Sequence, residues 1–180
     1  MLNPHPGDDR MFNRTFLALT LALGAAPAFA AERPAPTDAS IDAVVAAIPD
    51  WNNPTHEQML AFVQSCADHI ALHGKEAAFK DFQVRPGKLN KGELYIYAYD
   101  FDCLVLAHGA KPALVGKNLS DLTDKKGLKV IQALRDAARK GSGEVEFFWE
   151  NPTTKKIQRK LGYVIKIDDG CWIGSGIYMD

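Results

Sequence analysis

Three tyrosines, Tyr95, Tyr97 and Tyr99, fall at alternate positions of one apolar stretch. Residues at this spacing share one face of a β-strand, and three phenol hydroxyls on one face can form the polar wall of a pocket. A buried hydroxyl needs a hydrogen-bond partner, so such a wall favours a polar ligand. The alternative is an aromatic face that packs against loops with its hydroxyls in water. The spacing alone leaves both interpretations open.

Lys160 and Trp149 are further candidates for ligand contact. A lysine in an apolar cleft calls for an anion, because an unpaired buried charge is too costly, so Lys160 would meet a carboxylate as a point charge. The alternative is an exposed strand lysine, like the nearby Lys155 and Lys156. Trp149 can close a pocket and donate its indole N–H, or it can simply be a core or covering aromatic residue.

His108 raises the question of a metal site or of acid-base chemistry. The other histidines are His5, in a predicted leader, and His56, His69 and His73, in a predicted helical half. We find no His, Cys and carboxylate spacing typical of a zinc or iron site, and therefore expect no metal and no cofactor. We predict that His108 is a hydrogen-bonded structural or pocket-lining residue.

The elements that position these residues follow from hydrophobic periodicity. Thr55 begins a helix of about five turns that Gly74 ends. Its apolar stripe consists of Met59, Phe62, Val63, Cys66 and Ile70. The elements predicted after it are a short helix over 75–82, a hairpin of strands 94–99 and 103–107, a helix over 128–139, and strands over 145–149, 157–167 and from about 171 to 178. Hairpin-length turns predict antiparallel pairing.

Three segments carry a resemblance to a known family: LYIYAYDFDCLVLAHGAKPALVGKN, FFWENPTTKKIQRKLGYV and WIGSGIY. Together they resemble the single Cache domains, which are PAS-like extracytoplasmic sensors of bacteria, over roughly Thr55 to Tyr178. The resemblance implies an α+β fold, with a PAS-like antiparallel sheet of about five strands and a long N-terminal helix across one face. It also implies a site for a small ligand, often a short carboxylate.

The resemblance refines the choice of site residues. It places Tyr95 at the sheet centre, where packing is the expected role, and leaves Tyr97 and Tyr99 for the pocket. The family segment PKxSYV, here RKLGYV, raises Lys160 above its neighbours. The residues predicted to contact a ligand are Tyr97, Tyr99, His108, Trp149, Lys160 and Tyr163.

One pair in this set conflicts with strand geometry. Lys160 and Tyr163 are three residues apart, so in a regular strand they point to opposite faces. Both can reach the pocket only if a bulge intervenes, and Gly162 is the natural residue for it.

The three cysteines leave at least one thiol unpaired or intermolecular in an oxidising compartment. Cys66 lies on the apolar stripe of the long helix and is predicted to be a buried thiol. The PAS-like sheet implied by the resemblance puts the starts of the strands at Cys103 and Cys171 at opposite ends, so we expect no bridge between them.

Composition and the N-terminus bound the class of protein. The 180 residues, 47% hydrophobic and 24% charged, describe one globular domain, and a net charge of -1 gives no electrostatic reason to expect nucleic acid as a partner. The N-terminus predicts a cleaved signal peptide, because Arg14 precedes the apolar run 16–26 and Ala28-Phe29-Ala30 follows it as a cleavage site. A membrane anchor is the alternative, but the run is shorter than the roughly 20 residues of a spanning helix. Met1 and Met11 both remain possible starts.

We therefore divide the chain into a signal peptide (1–30), a linker with a short helix (31–54) and a single Cache domain (55–180), periplasmic and with no transmembrane anchor after cleavage. The expected function is binding of a small organic acid without turnover, with signalling through a separate membrane receptor or kinase. One alternative is a ligand-free interaction module of the same fold. Another is a haloacid dehalogenase-type phosphatase, because Asp100-Phe-Asp102 resembles the aspartate-nucleophile motif of those enzymes. Their fold needs alternating strands and helices and further motifs that we do not find in this sequence.

Overall fold

A computed structural model describes residues 33–179, so the predicted signal peptide lies outside the described part of the chain. The helices are α1 (Asp38–Ala46), α2 (His56–His73), α3 (Lys75–Asp81) and α4 (Val130–Ala138). The strands are β1 (Asn90–Lys91), β2 (Leu94–Tyr95), β3 (Tyr97–Tyr99), β4 (Val105–His108), β5 (Ser142–Glu150), β6 (Ile157–Lys166) and β7 (Trp172–Met179). Among the helices in 33–179, none combines the length and apolar character needed to cross a membrane.

The main sheet has five antiparallel strands in the order β4-β3-β7-β6-β5, which confirms the predicted α+β, PAS-like architecture. The last strand in sequence, β7, lies between β3 and β6. Its register places Trp172 opposite Tyr99 and Tyr178 opposite Lys160. Because β7 pairs with both neighbours, residues of β3 and of β6 come together near the middle of the sheet.

Side-chain caps fix where the first two helices begin. Thr55 accepts a hydrogen bond from the backbone of Gln58, and Gln58 bonds back to Thr55, which is a capping box. Thr37 and Ser40 form the same arrangement at the start of α1.

The two faces of the sheet carry separate cores. On one face, Phe62 and Ile70 of α2 belong to the same cluster as Leu94, Ile96 and Ala98. On the other face, the alternate residues of the same stretch pack with α4 and β5. That second cluster contains Tyr95, Tyr97, Tyr99, Ile131, Leu134 and Phe147. The predicted alternation of faces is therefore confirmed, and it directs the tyrosines away from α2.

All three cysteines are buried and free. The predicted reason for the missing bridge is wrong, however. Tyr99 pairs with both Val105 and Trp172, so the chain segments at Cys103 and Cys171 lie at the same end of the sheet, on opposite sides of β3.

Candidate functional site

Lys160 points from β6 into the aromatic side of the sheet and has no exposed surface. Its ammonium nitrogen lies 4.1 Å from the ring centre of Tyr95, 4.6 Å from that of Tyr178 and 5.8 Å from that of Tyr97. A cation over aromatic faces at such distances is stabilised by the ring quadrupoles, more strongly when it is desolvated. Tyrosines from three different strands thus form an aromatic cage around a cation of the protein itself.

Hydrogen bonds order the hydroxyls of this cage. Lys160 Nζ donates to Tyr95 Oη at 3.0 Å and to Tyr178 Oη at 3.4 Å. The Tyr178 hydroxyl donates to the Glu150 carbonyl at 2.8 Å, so Tyr95 is the donor in the 3.2 Å contact between the two hydroxyls. An ammonium has three N–H donors, and these hydroxyls use two of them among the described residues. The third N–H has no acceptor among the described residues.

The environment makes the charge of Lys160 easy to remove. Burial lowers the pKa of Lys160 from its ordinary 10.5 to about 7, against a smaller opposing effect of the Glu93 charge. Phenol hydroxyls and ring faces replace only part of the hydration that a full charge loses. An anion beside Lys160 would stabilise its charged form.

His108 forms the wall next to the cage. Its ring stacks on Tyr95, with the ring centres 5.2 Å apart and the planes 26° apart, and its Nδ1 accepts the backbone N–H of Lys111 at 3.0 Å. Burial, with the nearby charges of Lys160 and Lys111, lowers the pKa of His108 to about 3. The ring is therefore neutral at ordinary pH and carries its proton on Nε2, which makes Nε2 a hydrogen-bond donor.

These groups surround a small cavity beneath α4. The space open to the centre of a water molecule is about 10 Å³, which corresponds to about one water. The polar lining comes from Lys160, Tyr95 and His108, and α4 contributes an apolar side. The remaining lining residues are Tyr97, Tyr99, Val130, Ile131, Leu134, Phe147 and Trp149.

Tyr97 and Tyr99 line the cavity, and their other contacts within the fold differ. The Tyr97 hydroxyl donates to the buried carbonyl of Ser175 at 2.8 Å. The Tyr99 ring stacks on Trp172, with ring centres 5.0 Å apart and planes 14° apart. The hydroxyl of Tyr97 is thus committed to holding β3 against β7.

Trp149 separates two spaces. It lines the inner cavity and also an outer groove of about 320 Å³, which Lys111, Leu114 and Phe148 border. The residue is half-buried, so its indole forms part of the partition between the cavity and the groove.

Tyr163, predicted from the sequence to join the site, lies on the other face of the sheet. It packs against the α2 core and lines a separate groove with Gln64 and Ile165. The pairing of β5 with β6 has no register shift, so Gly162 is not a bulge and residues three apart point to opposite faces. We therefore correct the placement of Tyr163.

Sequence reasoning gave Tyr95 a packing role and did not consider Tyr178; the hydroxyls of both residues contact Lys160. A signal for the close packing here was present in the glycines of β7. An added Cβ at Gly174 would lie 2.6 Å from Tyr97 Cε2, and one at Gly176 would lie 2.7 Å from Lys160 Cε. Glycine inside a strand often marks such a close approach.

The Asp100-Phe-Asp102 motif has a structural role in the hairpin. The Asp100 carboxylate accepts the backbone N–H groups of Asp102 at 2.9 Å and of Leu104 at 2.8 Å. This is the local pattern by which aspartate stabilises a turn. The motif therefore does not carry the phosphatase interpretation.

Comparison with known proteins identifies the family. The model of "single Cache domain 2" matches residues 60–180. The chain belongs to this family. The family resemblance seen in the sequence is confirmed over residues 60–180.

Two relatives are signalling proteins by name. One is the sensor histidine kinase MctS of Rhizobium johnstonii, 37% identical over 87 residues, which cover 48% of this chain and 19% of the relative. The other is the methyl-accepting chemotaxis protein McpP of Pseudomonas putida, 27% identical over 124 residues, which cover 68% of this chain and 23% of the relative. The chain thus spans about a fifth of the length of each.

Solved structures share the fold. A methyl-accepting chemotaxis protein from Vibrio parahaemolyticus is 31% identical with a TM-score of 0.63, covering 69% of this chain and 88% of that one. A Cache chemosensory domain, solved to explain its carboxylic acid recognition, is 22% identical with a TM-score of 0.53, covering 79% of this chain and 92% of that one. Family and relatives together support a ligand-sensing role.

Proposed function

We propose that this domain is a sensor that binds a short monocarboxylate beside Lys160. The observation that carries the proposal is the buried ammonium of Lys160, whose hydrogen bonds within the described residues go to two phenol hydroxyls. A buried cation that keeps a donor unused is best satisfied by an anion, and charge-assisted hydrogen bonds are the strong ones. Nε2 of His108 is a second donor on the same cavity.

The lining favours one carboxylate and a short apolar tail. Lys160 is the one cationic side chain among the residues that line this cavity, so a second carboxylate would be buried without a partner. Val130, Ile131 and Leu134 on α4 offer methyl groups on the other side. Acetate and propionate match this division, and dicarboxylates do not. The carboxylic acid ligand of the structural relative makes this class the natural first screen.

Binding requires the cavity to enlarge, since its present volume is that of about one water. Trp149 borders both the cavity and the outer groove, so rotation of its indole would join the two spaces. We propose the outer groove as the route of entry. Displacement of Trp149 or of α4 would then be the structural change that reports the ligand.

The cellular setting is also part of this proposal. The predicted signal peptide and the membership of the Cache family support a periplasmic location. The relatives named as a histidine kinase and a chemotaxis protein support a membrane receptor or kinase as the partner that reads the liganded domain.

The test is a calorimetric titration of the domain with acetate and propionate, with acetamide and propionamide as neutral analogues. Lys160→Met keeps most of the side-chain volume and removes the charge, so we expect about 1.5 to 3 kcal/mol weaker binding, or roughly 10- to 150-fold. Lys156→Met makes the same change at an exposed lysine and should leave affinity unaltered. Equal affinity of wild type and Lys160→Met, or equal binding of the amides, would reject the proposal.

A second candidate function is a ligand-free interaction module, and the nearly filled cavity is the observation that favours it. In that case Lys160 and its cage would serve the packing of the sheet. A thermal-shift screen separates the two functions, because a ligand at 100 times its dissociation constant should add about 2.7 kcal/mol of stability. No stabilisation by any small organic acid, amine or amino acid would support the module.

A further inference from the structure

A cluster of metal-ligating groups lies where α1 meets α2, apart from the Lys160 cavity. His69 and His73 are four residues apart on one face of α2, and Asp38 is the first residue of α1. One ligand atom from each of the three lies within 4.8 Å of the other two. A histidine pair at this helical spacing is a common way to present two imidazoles to one ion.

The buried member of the cluster has an unused nitrogen. The side chain of His69 is 9% exposed, and its Nδ1 has no hydrogen-bond partner among the described residues. A buried nitrogen left without a partner is costly and calls for an explanation, such as an ion. The lone pair on Nδ1 is available because the other ring nitrogen, Nε2, is hydrogen-bonded to Asp81 Oδ2 at 2.8 Å.

The contact to Asp81 also matches the surroundings of known metal sites. Histidines that bind zinc usually donate their second ring N–H to a carboxylate, which fixes the tautomer and the ring orientation. If Nε2–H of His69 donates to the Asp81 carboxylate, the neutral ring has its lone pair on Nδ1, which is then free to bind an ion. On the other side of the cluster, Nε2 of His73 and Oδ1 of Asp38 are 2.8 Å apart, the contact that an ion would replace by binding both groups.

We propose that Asp38, His69 and His73 bind a divalent zinc ion, with water at the fourth position. Two imidazoles and one carboxylate with an open position are a donor set that zinc accepts. The ion would link α1 to α2 in addition to their packing. The site is independent of the proposed carboxylate function, and it differs from the expectation of no metal that residue spacing in the sequence gave.

The test is a calorimetric titration with zinc of the chelator-treated domain, residues 33–179. Metal analysis after dialysis then gives the number of zinc ions per chain. We expect one zinc per chain, a rise in Tm, and visible d–d absorption of tetrahedral Co²⁺ bound in its place. His73→Ala and Asp38→Asn alter half-exposed or exposed ligands, so folding should be retained, and each should weaken zinc by at least about tenfold.

The control is His56→Ala. His56 lies on the same helix, but its side chain contacts Glu144 and does not belong to the cluster. This substitution should leave zinc affinity unchanged. Asp81→Asn retains all three ligands and should weaken zinc by about 10- to 100-fold through the orientation of His69. Zinc binding that persists unchanged in His73→Ala and Asp38→Asn, or no zinc-dependent rise in Tm in the wild type, would overturn the proposal.

Discussion

The ammonium of Lys160 lies 3.0 Å from the hydroxyl of Tyr95 and 4.1 Å from the centre of the same ring. One tyrosine thus offers Lys160 both an acceptor and a π-face. These two contacts hold the lysine in place. Neither group carries a full negative charge that would offset the loss of hydration, so burial lowers the pKa of Lys160. This relationship decides how the site should respond to pH and to substitution.

Carboxylate binding should take up a proton and weaken as pH rises. The pKa of Lys160 is about 7 in the free domain, so above that value the anion must first restore the charge. We expect the apparent affinity to be constant between the pKa of the carboxylic acid ligand and about pH 7, and to fall about tenfold per pH unit above pH 7. Calorimetry at about pH 6 and about pH 8 in buffers of different ionisation enthalpy measures the proton uptake directly.

Other groups at the site do not titrate in this interval. Burial raises the pKa of the Tyr95 and Tyr178 hydroxyls far above their ordinary 10, and His108 remains neutral down to about pH 3. A pH-independent affinity between about pH 6 and about pH 8 would mean that Lys160 does not pair with the ligand.

Tyr95→Phe and Tyr97→Phe should have different effects, although both remove one hydroxyl from the same face. The Tyr95 hydroxyl positions Lys160, so its loss should weaken carboxylate binding by about 1 kcal/mol, or roughly fivefold. The Tyr97 hydroxyl bonds the carbonyl of Ser175, so its loss should lower the free energy of unfolding by about 1 kcal/mol and leave affinity nearly unchanged. Urea unfolding and calorimetry on both variants check this, and the opposite pattern would exchange their roles.

The strand glycines give a prediction about packing. An alanine Cβ at Gly174 would lie 2.6 Å from a ring carbon of Tyr97 and 2.6 Å from the backbone oxygen of Tyr163, so neither side of the strand can relax freely. We expect Gly174→Ala to cost about 1 to 3 kcal/mol in the free energy of unfolding.

The matched control for this change is Gly170→Ala. A Cβ there would meet its nearest atom, Asp168 Oδ1, at 3.3 Å, and the position lies in the turn before β7. Its stability should change by less than about 0.5 kcal/mol. Equal losses in the two variants would show that the contact with Tyr97 is not what restricts Gly174.

The sequence predicted the features that depend on local periodicity. Alternation along Leu94–Tyr99 assigned both faces correctly, because side-chain direction in a strand follows from position alone. The same rule showed that Lys160 and Tyr163 cannot both reach the pocket from a regular strand. The regular register of β6 with β5 shows that the two side chains point to opposite faces of the sheet.

Contacts that depend on strand register were beyond local reasoning. Tyr178 faces Lys160 because β7 inserts between β3 and β6, an arrangement that no local pattern encodes. The partner of His69 and His73 likewise comes from α1, more than 30 residues earlier, so spacing within α2 showed only half of that cluster. The contact between Tyr95 and Lys160 was beyond local reasoning for the same reason, since it depends on the position of the Lys160 ammonium.

His108 predicts an acid sensitivity that a substitution should relieve. Burial lowers its pKa from 6.5 to about 3, so below pH 6.5 the unfolded chain binds a proton that the folded domain does not. The stability that this histidine contributes is therefore complete above about pH 6.5 and is lost at about 1.4 kcal/mol per pH unit as the pH falls toward 3.

His108→Gln has no such proton to bind. Between about pH 7.5 and pH 5 the wild type should lose about 2 kcal/mol more unfolding free energy than the variant, measured by urea unfolding at both values. A His108→Gln variant that loses as much stability as the wild type would mean that the imidazole is protonated in the folded domain.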